Sequence, residues 1–351
     1  MYSKGTAMKV NIKKISELSG FSVATVSNAL SNKRGVNKDT AEKIIRIARE
    51  NGYIKDEKIK RIKMVTYRDS GEVFNESPFF STLLDSIEGE SRRSGYDVSI
   101  VNLYRHHNDF EDNVRELLKD TTSAVLLVGT EMNEEDAHIF TNAGLPLVMV
   151  DNYFESLNFD TVLMDNEDSV AKAVIYLLEN GHTSIGYLQG DTRIRNFVAR
   201  GRSLRRTLWE NGLALDSNMV FDVQPNVVGA FEGLNRYIAE GRAMPTAFFA
   251  DNDMIALGAM QALQKNGFSV PDDVSIIGFD DITLGEAFSP GLTTISVDIK
   301  AMGRLAVRRL IEQIQNRDDA RSCTRLYNKL VVRGSVAKLN PTRKGAKSLP
   351  F

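Results

Sequence analysis

The chain has 351 residues, 42% of them apolar and 26% charged, which is more than one core usually holds and describes an ordinary globular protein of two or three domains. No apolar run approaches a membrane span, the first residues lack a secretory signal, and the one cysteine, Cys323, excludes an intrachain disulfide, so a cytoplasmic protein is expected. The net charge of −2 is divided unevenly: residues 1–63 hold 15 Lys and Arg against 6 Asp and Glu, a balance of +9, and the remainder carries −11. A basic end on an acidic body suits a segment that neutralises phosphates joined to one that does not.

In chain order, residues 1–9 read as a disordered lead-in. Ile12, Ile15 and Leu18 then recur at helical spacing until Ser19-Gly20-Phe21 interrupts them. Gly20 stands where a tight inter-helix turn favours positive φ, and Ser16 is small where two helices must cross closely. Ser22 is placed to cap a second helix, which turns Val26 and Leu30 inward and Val23, Ala24, Thr25, Ser27 and Asn28 outward. Two helices joined by a Gly-containing turn, with small polar side chains on the second, are the ingredients of a helix-turn-helix that reads a DNA major groove. An ordinary αα-hairpin has the same spacings, but here the pattern coincides with the basic end. Ser31 to Gly35 is a polar, basic loop. Asn37 to Asn51 reads as a third helix capped by Asn37, with Ala41, Ile44, Ile45 and Ala48 on one face, and Gly52 ends it.

Lys55 to Lys63 holds five basic residues and no proline or glycine, and is expected to be a short helix or an extended linker. Beyond it, short apolar runs (64–67, 98–103, 124–128, 147–150, 162–164, 185–188, 247–250, 274–278 and 294–297) suit strands buried on both faces. Amphipathic helical patterns separate most of them, at 80–94, 110–119, 134–143, 169–180, 204–211, 228–241, 255–266 and 301–315. Alternating strand and helix with single helical crossovers implies parallel sheets, and so many strands fit two lobes better than one sheet. Ligands of such folds bind beyond the carboxyl ends of the strands, here between the lobes.

Asp151-Asn152, Asp165-Asn166, Asp251-Asn252-Asp253 and Asp280-Asp281 each follow a strand run. Strand-end Asp and Asn often merely cap the next helix, as expected for Asp165, Asn166 and Asp251. Convergence on one cleft also makes Asn252 and Asp280 candidates to receive hydrogen bonds from a hydroxyl-rich ligand. Arg200 belongs to a basic run from Arg193 to Arg206 whose members should mostly be solvated, yet one guanidinium facing the cleft can hold a polar ligand. In Ser77-Pro78-Phe79-Phe80, which starts a helix, one ring can stack on a ligand, and filling the core is the alternative for either. His106, His107, His138 and His182 show no metal-ligand spacing. No nucleophile elbow, phosphate loop or dinucleotide fingerprint is present, so no catalysis, metal or cofactor is expected. His182 lies between a helix end and a strand, where holding a backbone group is its ordinary role.

The stretch ISELSGFSVATVSNALSN is similar to the helix-turn-helix of the lac repressor (LacI/GalR) family of bacterial transcription regulators. ENGY, NGHTSIGYLQG, DNDMIALGAMQAL, VPDDVSIIGFDDI, SPGLTTISVD, MGRLAVRRL and KLVVRGSV resemble that family's later blocks in order, over residues 9–338. The resemblance implies a small all-α helix-turn-helix domain followed by an α/β periplasmic-binding-protein-like domain of two lobes with parallel sheets, the chain crossing between lobes three times. It places Arg200, Asn252, Asp253, Asp280, Phe79 and Phe80 at effector-binding positions, although Ser203-Leu204 stand where the family has a glycine and an aromatic residue. It places Val23, Ala24 and Asn28 at base-reading positions and Thr25 and Ser27 on phosphates, with Lys33 a further DNA contact. Asn28 replaces a more usual arginine, and Asn pairs bidentately with adenine. The family's proline-asparagine pair and hinge helix are missing after Tyr53, so either Ile59 or Ile62 wedges into the minor groove or the linker does not insert.

The expected domains are a headpiece at 1–54, an atypical basic linker at 55–63, an effector and dimerisation domain at 64–340, and a disordered tail at 341–351. The expected function is that of a homodimeric, non-enzymatic regulator on near-palindromic operator DNA, a repressor of a carbohydrate-utilisation operon controlled by a sugar-like effector. A phosphorylated carrier protein or a purine-type corepressor is the alternative effector.

Overall fold

A computed structural model of the protein describes residues 10–31, 35–51, 53, 59–73, 78–141, 143–316 and 320–339. The lead-in 1–9, Lys33, Gly52 expected to end the third helix, headpiece residue 54, linker residues 55–58 and the tail 341–351 lie outside the described residues. The chain forms two compact units, residues 1–59 and 60–351.

The first unit holds α1 (Ile12–Ser19), α2 (Val23–Leu30) and α3 (Lys38–Glu50). Ile15, Val26, Ala29, Ile44 and Ala48 form its core. Leu18, which shares the helical spacing, is 45% exposed rather than inward. Gly20 ends α1 at φ 76° with nothing near a Cβ position, so it is the left-handed backbone and not crowding that calls for glycine. The Ser16 hydroxyl donates to the Phe21 carbonyl at 2.5 Å and closes the turn.

In the second unit β1 (Arg61–Arg68), α4 (Phe79–Arg93), β2 (Asp97–Tyr104), α5 (Phe110–Lys119), β3 (Ser123–Val128), α6 (Glu134–Ala137), β4 (Leu147–Val150) and β5 (Asp160–Met164) build the first lobe. The chain crosses to the second lobe for α7 (Asn166–Glu179), β6 (Ile185–Gly190), α8 (Arg195–Glu210), β7 (Val220–Val223), α9 (Val227–Ala239), β8 (Ala247–Ala250), α10 (Asp253–Lys265), β9 (Ser275–Ile277), α11 (Thr283–Ala287) and β10 (Thr294–Ser296). It returns for α12 (Ile299–Asn316) and β11 (Cys323–Leu326), then crosses a third time to β12 (Lys329–Val331). The first sheet is parallel with order β11-β5-β4-β3-β1-β2, the second is parallel with order β7-β6-β8-β9, and β10 pairs antiparallel with β12. Every residue of β3, β4 and β5 is buried, which explains their unbroken apolar runs.

Strand β1 begins at Arg61, inside the expected linker, and Ile62 is fully buried in it. Ile62 is therefore sheet core, not a side chain available to DNA. Asp160, fully buried at the start of β5, ties α12 and the segment before β11 to the first sheet. Arg309 of α12 donates to Asp160 at 2.7 Å, Gln313 at 2.6 Å, and both the N–H and the hydroxyl of Ser322 at 2.9 Å. Burial pushes its carboxyl up, but these donors outweigh burial and hold it below the ordinary carboxylate range. His182 is likewise structural: it donates through Nε2 to the Ala337 carbonyl at 3.0 Å and sits 3.1 Å from the Thr246 hydroxyl. No helix among the described residues is long and apolar enough to cross a membrane.

Candidate functional site

In the first unit Ser22 caps α2 by accepting the Thr25 N–H at 3.1 Å, which fixes the start of the second helix. Val26 and Ala29 are buried, so the helix has one free face. Val23, Ala24 and Ser27 are exposed on it, and Thr25 and Asn28 are half-buried. The Thr25 hydroxyl lies 2.8 Å from that of Ser22. The Asn28 amide makes no hydrogen bond among the described residues and keeps its donor and acceptor for an external group.

In the second unit the site is built from loops at the carboxyl ends of strands in both lobes. Among the described residues, Asp151, Asp280 and Asp281 are the non-glycine residues in the left-handed region, at φ 64°, 115° and 59°. Backbone in that region costs energy for residues with a Cβ, less for Asp and Asn than for most. Asp151 follows β4 of the first lobe, and Asp280 and Asp281 follow β9 of the second.

Arg200 of α8 is 3% exposed and stands between these two loops. Its Nε donates to Asn166 Oδ1 at 2.9 Å, Nη1 donates to the Asp251 carbonyl, and Nη2 lies 3.8 Å from Asp280 Oδ1. The guanidinium stacks on Phe279 at 3.5 Å from the ring centre. Asp151 receives the Thr130 hydroxyl at 2.6 Å and the Asn196 amide at 3.0 Å. Asn166 completes the chain by donating to Asn196 at 2.8 Å. Burial pushes the Asp151 carboxyl up to about 6 against the pull of Thr130, Arg200 and Asn196. Burial pushes Asp280 up to about 7 against Arg200, with Asp151 and Asp251 adding repulsion.

The cleft has two limbs that share Phe79 and Asp280. The deep limb, about 30 Å³, has room for about two waters between Asp151, Asn196, Arg200, Asn252 and both phenylalanines. The outer limb, about 620 Å³, lies within the range of small-molecule sites. The structure thus brings together Phe79, Phe80, Arg200, Asn252 and Asp280. Phe79 is buried, Phe80 is half-buried, and their rings meet edge-on at 5.1 Å. Asn252 also caps α10, accepting the Ile255 N–H at 2.8 Å.

Asp253 is not at the cleft wall. It is fully buried behind the loop after β9, accepting the Thr294 hydroxyl at 2.5 Å and the Ile282 N–H at 2.9 Å. A Cβ on Gly278 would stand 2.1 Å from Asp253 Oδ1, so the carboxylate packs where only glycine leaves room. Asp251, expected to cap, instead accepts from Tyr187 at 2.5 Å, the Gly190 N–H at 2.9 Å and Arg193 at 2.8 Å. Asp165 caps α7 as expected, whereas Asn166 joins the Arg200 chain. The sequence places Asp151 among the strand-end acids without setting it apart from the others, and Asn196 and Thr130 carry no such signal. Among the described residues no group of three His, Cys, Asp or Glu is placed to hold a metal ion.

A profile of the lacI family of bacterial regulatory proteins matches residues 11–56, and a periplasmic binding protein-like domain matches residues 174–336. The HTH-type transcriptional repressor PurR of Vibrio campbellii is 32% identical, over 94% of this chain and 99% of its own. Among solved structures, the transcriptional regulator CelR in complex with cellobiose superposes with a TM-score of 0.71 at 22% identity, covering 93% of this chain and 99% of its own. The lac repressor dimer bound to operator and the anti-inducer ONPF gives a TM-score of 0.70 at 22% identity, over 93% and 99% of the two chains.

Proposed function

Because the chain belongs to the lacI family of bacterial regulatory proteins, as a DNA-binding transcriptional repressor with an effector-binding domain and no enzymatic activity, we propose that its effector is a small polyhydroxylated molecule of the sugar class and that it represses a carbohydrate-utilisation operon. One observation carries the reading: Asp151 and Asp280, from opposite lobes, face a single buried arginine across the deep limb. Carboxylates accept hydrogen bonds from the hydroxyls of a sugar, a guanidinium donates to its ring and glycosidic oxygens, and Phe79 and Phe80 offer apolar faces to its C–H edges. The structural relative that holds cellobiose supports the same class.

The repressor works as a cytoplasmic homodimer in which two α2 helices read half-sites of a near-palindromic operator, with Val23, Ala24 and Asn28 toward bases and Thr25 and Ser27 toward phosphates. Control comes from the lobes. The Thr192 hydroxyl donates to Glu72 at 2.6 Å, Arg195 lies 3.7 Å from Glu134, and Asn196 holds Asp151, so the first turn of α8 and the loop before it tie the second lobe to the first. A ligand in the deep limb must part these contacts or replace them, and it shifts the lobe equilibrium by its differential affinity for the two arrangements.

The test is calorimetric titration of the full-length protein with a panel of pentoses, hexoses and disaccharides, alongside adenine, guanine and hypoxanthine. Saturable binding of a sugar that changes operator affinity, weakened in Asp280→Asn, is expected. Binding of a purine alone would replace the reading with the corepressor alternative, which the 32% identity to a PurR repressor favours.

A further inference from the structure

The outer limb differs in chemistry from the deep one. Lys329 opens β12 and pairs across the small sheet with Ser296, while Ser296 forms a bridge with Asp280 on its other side. Asp280, Ser296 and Lys329 therefore lie side by side on one face, and all three line the outer limb. Two strand spacings separate Asp280 from Lys329, about 10 Å between backbones. Lys300, in the first turn of α12, lines the same cavity.

Neither ammonium has a carboxylate partner among the described residues. The acids nearby are engaged elsewhere. Asp281 receives Arg333 at 2.7 Å, Asp298 accepts the Ala301 N–H at 2.8 Å, and Asp280 faces Arg200 at 3.8 Å. The cavity thus has an acceptor-rich inner end and an exposed rim where Lys300 and Lys329 stand with the helix-capping carboxylate of Asp298, a net positive charge.

We propose that the effector is a sugar phosphate whose hydroxyls meet Asp280 and whose phosphate monoester is held by Lys300 and Lys329. This deepens the polyhydroxylated reading above and rests on it. Two ammoniums match the double negative charge of a monoester near neutral pH, and lysine binds phosphate as a point charge without needing fixed planar geometry. The separation of about 10 Å leaves room for one sugar ring between the two ends.

The experiment uses inorganic phosphate as probe on the full-length protein, by calorimetry and thermal unfolding against chloride at matched ionic strength and pH 7.5. Phosphate is expected to bind and to raise the melting temperature. In K300Q/K329Q its dissociation constant should weaken by about tenfold or more, and K265Q, on the distant α10, should respond as the wild type does. Retained operator binding shows that the double variant is folded. No phosphate effect in the wild type, or an effect that survives K300Q/K329Q, overturns the proposal. A neutral sugar bound equally by wild type and K300Q/K329Q would do so while leaving the polyhydroxylated reading intact. A purine in place of every sugar would remove both.

Discussion

Asn196, in the first turn of α8, donates one amide to both the carboxylate of Asp151 at 3.0 Å and its backbone carbonyl at 3.2 Å, joining the second lobe to the end of a first-lobe strand. Both residues are buried, and Asp151 is held at φ 64°, so a costly backbone geometry is tied to a contact that exists only while the lobes are together.

Asn196→Ala should therefore loosen lobe closure. It removes a hydrogen bond to a buried carboxylate, a contact worth about 1.5–3 kcal/mol, and leaves Thr130 holding Asp151 from its own lobe. Small-angle scattering should show a larger radius of gyration than for the wild type, and effector affinity should fall by about tenfold. Unchanged scattering together with unchanged affinity would mean that the lobes are held elsewhere, at Thr192 and Glu72.

The site also sets a pH dependence of stability. Asp280 is held at about 7 and Asp151 at about 6, both raised by burial. For a raised carboxyl the folded state takes up its proton more readily than the unfolded chain. The stability these groups contribute is thus full below about pH 4 and lost as the pH rises through 6 and 7. His182 acts oppositely: burial lowers its pKa, against the pull of the Ala337 carbonyl, so its contribution is present above the unfolded value and lost as the pH falls below it. Asp280→Asn, neutral at every pH and tolerant of left-handed backbone, should gain melting temperature over the wild type at pH 8, keep part of that advantage near pH 5.5 and lose it near pH 4. A constant difference across the range would show that Asp280 does not titrate there.

On the DNA side, Asn28→Ala should cost about 1–3 kcal/mol of discrimination at one base pair of each half-site. Gel shifts against specific and scrambled duplexes are expected to show specific binding lost and non-specific binding kept. A uniform fall for both duplexes would reassign Asn28 to a phosphate or to the fold of the headpiece.

What the sequence made legible follows from which forces act locally. The apolar runs of β3 and β4 and the caps at Ser22 and Asp165 are decided by neighbouring residues, and they could be read directly. Strands β11 and β12 escaped notice because their residues are largely exposed and pair only where the chain crosses between lobes. Strand β7 escaped because Asp222 interrupts its apolar pattern. Arg200 and Asp280 carry their own chemical signal. Asp151 shares the strand-end signal of Asp280 but Asn196 has none, and their partnership exists only once two segments 45 residues apart have been placed in facing lobes. Asp253 misled for the converse reason: its neighbour Asn252 reaches the cleft, and adjacent side chains after a strand point apart.

Within the first lobe, Asp160 joins several segments through one buried carboxylate. Its carboxylate binds Arg309 from α12 and Ser322 just before β11, so one side chain fastens both the helix and the edge strand to the first sheet. In Asp160→Asn the shape survives but the charge does not, and Arg309, whose side chain is 16% exposed, is left without its main partner. Breaking a buried ion pair by removing one member costs about 3–5 kcal/mol. Urea unfolding should show that loss in the transition of the effector domain. The isolated headpiece helices depend on their own core, so non-specific duplex binding should persist under conditions where effector binding is gone. If the two activities were lost together, the units would be folding as one, and Asp160 would be supporting more than the first lobe.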